Sequence, residues 1–143
     1  TPFLQTVRFD PDRSAPVPPG TLCSGLPALV DALAATSNGM VSVRVRGTFT
    51  NLVTRSVPAQ TEPYPTLATV VATQTLFNLG SRRAVLVGFR TGPDLAGTGA
   101  PGLHLHGITA DRTAGGHVIS CVAGTDVQLS VEVADGVRVS GQS

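Results

Sequence analysis

The sequence predicts an α+β domain built on a mixed, largely antiparallel β-sheet with one or two helices. Three observations predict it. Met40 to Phe49 alternates Val41, Val43 and Val45 against Ser42, Arg44 and Arg46, the pattern of a half-buried strand. Leu26, Leu29, Val30 and Leu33 recur at i, i+3, i+4 and i+7, the stripe of an amphipathic helix. Pro101 to Cys121 reads as two strands about a polar, glycine-rich turn, Thr109 to Gly116.

The remaining elements follow in chain order. Phe3 to Phe9 alternates well enough to be a strand, and Asp10 to Gly20, with four prolines, reads as an extended loop. Ser24 is the expected N-cap of the helix, Pro27 is tolerated in its first turn, and Asn38-Gly39 ends it. Asn51 to Val57 reads as a second extended segment, Pro58 to Pro65 as irregular, and Thr66 to Thr73 as a short helix. Thr75 to Leu79 and Ala84 to Arg90 are expected as two strands around a Gly80-Ser81 turn. Thr91 to Pro101 is a glycine-rich loop. Asp126 to Val133 and Val137 to Val139 close the chain as strands.

Composition narrows the function classes. The chain has 143 residues, the size of one domain, with 41% apolar residues, 16 glycines and 11 prolines, so it is long enough and apolar enough to bury a core. Its net charge is +1, and its ten basic residues are arginines scattered along the chain, which argues against a nucleic-acid footprint. No apolar run reaches the length of a membrane span and no secretory leader is visible, so neither a membrane nor export is expected and the cytoplasm is the expected compartment. The chain opens at Thr1, without a methionine and on a strand-like segment, which hints at a processed, truncated or excised piece. Cys23 and Cys121 lie far apart in sequence among apolar neighbours and read as two buried free thiols, with a disulfide as the alternative.

The chemistry concentrates in the hairpin. All three histidines of the chain, His104, His106 and His117, lie there. Residues two apart on a strand share a face, so His104 and His106 emerge together while Leu103 and Leu105 point the other way. If the returning strand pairs His106 with His117, three imidazoles converge on one patch. That facial set suits a divalent transition metal with open positions, and catalytic zinc on three histidines is the best match. Hydrogen-bonded imidazoles without a metal are the alternative.

Several segments, taken together, resemble the alpha-acetolactate decarboxylase family. They are RVRGTF (Arg44–Phe49), TRSVPAQTEPYPTL (Thr54–Leu67), LVGFRTGP (Leu86–Pro93), PGLHLH (Pro101–His106) and GGHV (Gly115–Val118). Their order and spacing are similar to the C-terminal half of that family. The chain is therefore expected to be a single domain, residues 1–143, with the family's N-terminal part and C-terminal tail absent.

The resemblance implies Zn2+ held by His104, His106 and His117, with Arg55 at the active site. It implies decarboxylation of 2-acetolactate to acetoin and CO2, the metal stabilising the enediolate that develops. Arg55 is then a binder of substrate and intermediate, because a guanidinium makes paired hydrogen bonds to a carboxylate and holds its proton too tightly for ordinary acid work. The expected partner is the small-molecule substrate alone; a homodimer is the expected oligomer if a sheet edge lies exposed. The family's two functional glutamates lie in the preceding domain and the tail, and neither Glu62 nor Glu132 stands at a matching position. A non-catalytic metal-binding remnant, or another three-histidine zinc lyase or hydrolase, are the alternatives. Glu62 is expected to be a surface charge, Tyr64 a packed loop aromatic, and Asp111 with Arg112 a turn pair without chemistry.

Overall fold

The computed structural model describes residues 5–56, 63, 66–97 and 101–138. Six strands and two α-helices follow one another as β1 (Arg13–Pro16), α1 (Leu26–Ala34), β2 (Met40–Ser56), α2 (Leu67–Ala72), β3 (Thr75–Thr91), β4 (Gly102–Thr109), β5 (Gly115–Ala123) and β6 (Gln128–Val133). The strands form one sheet in the order β1-β6-β2-β3-β4-β5, and every pairing among them is antiparallel. The domain is thus α+β, as expected, and mostly β; the sheet expected to be mixed is antiparallel in every pairing among the described residues.

The sheet curls because β2 changes partners along its length. Its first half pairs with β6, Val41 opposite Val133 through Arg46 opposite Gln128. Its second half pairs with β5, Phe49 opposite Ala123 through Arg55 opposite His117. The ladders β2–β3, β3–β4 and β4–β5 are thereby closed by β2–β5. The bend falls at Asn51, which adopts φ 49°, and β3 yields at the same level through Gly80 at φ 63°. Gly80 reads as a turn in the sequence, whereas Asn51 reads as the start of an extended segment. Where two strands were expected on either side of Gly80, β3 is one strand of 17 residues; β2, also 17, likewise joins two expected segments. The bulges bend a paired ladder instead of ending it, since each strand yields opposite the other.

One face of the curled sheet carries the core. Val41, Val43, Val45, Phe49, Leu52, Leu86, Leu105, Leu129 and Val131 are buried against Leu26, Val30 and Ala34 of α1. Helix α1 is fastened by a two-pronged ion pair, Arg90 Nε and Nη2 on β3 donating to Asp31 Oδ1 and Oδ2 at 3.0 Å each. It starts from Gly25 after a 3-10 turn at Cys23–Gly25, with no side-chain cap, so Ser24 is not the N-cap. It ends at Ala35 in the left-handed region, before the expected Asn38-Gly39.

Three further expectations are corrected. The described part of the expected first strand, Gln5 to Phe9, is not a strand; the first strand is Arg13–Pro16, inside the proline-rich stretch. Among the described residues it pairs only with β6, and an edge strand tolerates Pro16 because one side of it needs no donor. Val137 and Arg138 form no strand, and Val139 lies outside the described residues. Cys23 and Cys121 are not free thiols: they form a disulfide spanning 98 residues, which ties the turn before α1 to β5. No helix among the described residues is long and apolar enough to cross a membrane.

Candidate metal centre

The histidines occupy the sheet face opposite the core. Leu105, between His104 and His106, is buried in the core, so strand alternation turns both rings outward. Strand β5 returns antiparallel to β4 with His106 directly opposite His117. The turn between them is shaped by Asp111, whose Oδ1 accepts from Thr109 Oγ1 at 2.6 Å, Thr113 Oγ1 at 2.8 Å and Thr113 N at 3.1 Å. Those hydrogen bonds hold the Asp111 carboxyl down at about 2. Arg82 lies 3.6 Å from Asp111, and Arg112 takes φ 58° at the tip. As expected from sequence, Asp111 serves the turn.

The three rings crowd together. Their centroids are 4.6 Å apart for His104 and His117, 5.1 Å for His104 and His106, and 5.4 Å for His106 and His117. One ring nitrogen from each lies within 4.8 Å of the other two, and His104 Nε2 approaches His106 Nε2 to 3.1 Å. Such a set could hold a metal ion, and no carboxylate or thiol joins it among the described residues.

Electrostatics keeps the rings neutral. Burial is the main cause lowering the pKa of His104 and His106, aided by the Arg55 charge at both and by His106 at His104. His117 is pushed down to about 4 by burial, His104, Arg55 and His106. A neutral imidazole is the form that donates a lone pair to a metal, so the unloaded cluster needs no deprotonation near neutral pH.

Arg55 is brought to the cluster by β2, where it pairs directly with His117. That closeness depends on Gly116, at φ 136°, where a Cβ would lie 2.6 Å from the Arg55 carbonyl oxygen. Thr54 Oγ1 donates to the Gly115 carbonyl at 3.2 Å across the same ladder, and Arg55 Nη1 donates to Gln74 Oε1 at 3.0 Å. On the other side, Gly88 of β3 lies so close to β4 that any Cβ would collide with the His104 carbonyl. The glycines were not singled out in sequence, because only strand pairing reveals what they face.

Glu62 and Tyr64 lie outside the described residues. Glu132 pairs across β6 and β2 with Ser42, and its Oε2 accepts from the Asp10 amide at 2.9 Å, so it is engaged away from the rings. A cavity of ≈ 650 Å³ opens beside His104 and His106, walled by Arg44, Val87, Phe89 and the segment Gln5 to Phe9. Sequence reasoning took Arg44 for the wet side of a strand and missed it.

Comparison with known proteins places the chain in a family. The family model described as alpha-acetolactate decarboxylase matches residues 1–142. The alpha-acetolactate decarboxylase of Methanosarcina mazei is 38% identical over 119 residues, covering 83% of this chain and 41% of that relative. That of Brevibacillus brevis is 35% identical over 120 residues, covering 84% of this chain and 42% of that relative. The crystal structure of alpha-acetolactate decarboxylase from Bacillus subtilis superposes with a TM-score of 0.81 at 28% identity, covering 88% of this chain and 53% of that one. The chain spans about half the length of the relatives it matches.

Proposed function

Because the chain belongs to the alpha-acetolactate decarboxylase family, we propose that its β4–β5 hairpin holds a zinc ion on His104, His106 and His117 and serves the decarboxylation of 2-acetolactate to acetoin and CO2. The observation that carries this reading is the convergence of one ring nitrogen from each of three histidines within 4.8 Å on one sheet face. An all-nitrogen donor set fits zinc, and neutral ligands leave its full charge to act on substrate. When bound, zinc supplies Lewis-acid stabilisation of negative charge developing on the substrate's ketone oxygen.

The chain's own residues supply the rest. The three imidazoles hold their lone pairs ready because burial and Arg55 disfavour protonation. Arg55, opposite His117, presents a fixed positive charge to an anionic substrate and to the charge left when CO2 departs. It is anchored by Gln74, so it orients its ligand and does not swing free. The small molecule is the proposed partner; a homodimer is the proposed oligomer, formed through a sheet edge. A cytoplasmic location is the part of this reading that Cys23–Cys121 argues against, since disulfides persist in oxidising compartments.

The test is zinc content and acetoin release, measured on this chain alone and on the longer protein of its relatives' length. His106→Ala should abolish both, and Arg55→Ala should abolish acetoin release while zinc stays bound. Zinc without acetoin in either length would leave a metal-binding domain. No zinc at all would overturn the reading.

A further inference from the structure

Arg44 is the unexplained residue of this face. It lies in the same column of the sheet as two of the histidines: Arg44 pairs with Val87, Val87 with His106, and His106 with His117. Directly paired residues share a face, so its side chain rises on the histidine side, two strands or about 10 Å from His106. Its guanidinium carbon stands 5.0 Å from the centre of the Phe9 ring, which lines one wall of the cavity containing His104 and His106. Val87, 48% exposed, and Phe89 form the floor between them.

Among the described residues the arginine has no carboxylate partner. The ion pairs among the described residues use Arg82, Arg83 and Arg90, whereas Arg55 donates to Gln74. The Nε of Arg44 is buried and makes no hydrogen bond, the single buried side-chain N or O atom left so among the described residues. Burying a charged donor without an acceptor costs stability, and a flat ring beneath the guanidinium offsets only part of that. An acceptor that arrives with a ligand at the Nη end of the same guanidinium offsets that cost. The Nε is closed off by its surroundings, so the fork offered to a carboxylate is the pair of Nη groups, which can make two parallel hydrogen bonds.

We propose that Arg44 is the residue that grips the substrate carboxylate, at the wall of the cavity away from the metal cluster. The inference rests on the metal-centre reading for the identity of the acid, and it divides the work of the two arginines. Arg44 holds the carboxylate, and Arg55 faces the end where charge develops. The cavity accordingly selects small 2-hydroxy acids over their neutral, carboxylate-free counterparts.

The experiment uses the whole chain and an unreactive acid, 2-hydroxy-2-methylpropanoate, with acetoin as the neutral comparison. Calorimetric titration of the zinc-loaded chain should show Arg44→Gln weakening the acid by about tenfold, the size expected for a charge-assisted hydrogen bond, with acetoin affinity and zinc content unchanged. Arg44→Lys should recover part of the loss, because it restores charge without the fork. Equal weakening of both ligands, or of neither, would overturn the proposal. A second arm needs neither metal nor mutation: in the NMR spectrum of the metal-free chain, the Arg44 Nε–H signal should move on addition of the acid and stay put with acetoin. An Nε–H that the acid leaves unmoved would sink the proposal even if Arg44→Gln failed to fold. In the longer protein, an Nε–H already paired before any ligand arrives would assign the arginine to a protein carboxylate and overturn the proposal equally. Absence of zinc would defeat the metal reading alone, because the metal-free arm reports on Arg44 independently.

Discussion

Reducing the Cys23–Cys121 disulfide, whose Cys121 sits in the apolar core, should remove a large share of the domain's stability. The bond closes a loop of 98 residues. In the chain-entropy account, a loop of that length restricts the unfolded chain by about 4.7 kcal/mol at room temperature. Crosslinks usually deliver less than this ceiling because the reduced unfolded state keeps some structure, so the expected loss is about 2–4 kcal/mol. Against a typical domain stability of about 5–15 kcal/mol, that is a large share. For a chain of 143 residues, the unfolding entropy converts a loss of about 3 kcal/mol into a melting-temperature drop of about 10 °C. Urea denaturation with and without reductant measures it, alongside a Cys23→Ala/Cys121→Ala double variant. Reduction adds two hydrogens and no cavity, so the reductant isolates the crosslink, and the double variant should lie within about 1 kcal/mol of it. An unchanged midpoint on reduction, with thiol labelling proving both sulfurs free, would refute the reasoning.

Three further outcomes follow from the same geometry. Gly116→Ala forces a side chain into a backbone conformation at φ 136° and against the Arg55 carbonyl; it should cost about 1–3 kcal/mol in urea denaturation and weaken zinc binding measured by competition with a chelator. The metal-free chain should lose stability as pH falls from about 6.5 to about 4. His117 titrates near 4 in the folded state, so the unfolded chain binds the extra proton across that window and folding weakens on acidification. Melting curves at stepped pH check this, and His117→Asn should flatten the slope. Asp31→Asn removes one side of the two-pronged pair with Arg90, whose side chain is 16% exposed, and should cost about 1–2 kcal/mol; a change smaller than the error of the unfolding curve would show the pair idle.

The parts of the fold legible in the sequence are those governed by strand alternation. His104 and His106 share a face because Leu103 and Leu105 need the other one, and that follows from periodicity alone. The helix was equally plain from Leu26, Val30 and Leu33. What stayed hidden depends on partners. Gly80 looks like a turn until it is seen to bend opposite Asn51 within one ladder. Pro16 looks like a loop until its strand proves to lie at an edge. Nothing in the spacing of Cys23 and Cys121 says that β5 passes beneath the turn before α1. Arg44 and Arg46 are indistinguishable as letters in one alternating strand; only the cavity wall formed by Gln5 to Phe9 separates a half-buried cation from a wet one.

The β4–β5 pairing also bears on the order in which the molecule assembles. Its strands are neighbours in sequence, joined by a turn that Asp111 staples locally, whereas the ladders to β1 and β6 and the sulfur bridge join distant stretches. Closing a short loop surrenders little entropy, and contacts between near neighbours form fastest. The imidazole trio is therefore expected to meet early, on a chain whose ends have yet to find one another, and the last regions to lock are those that wall the chamber around it.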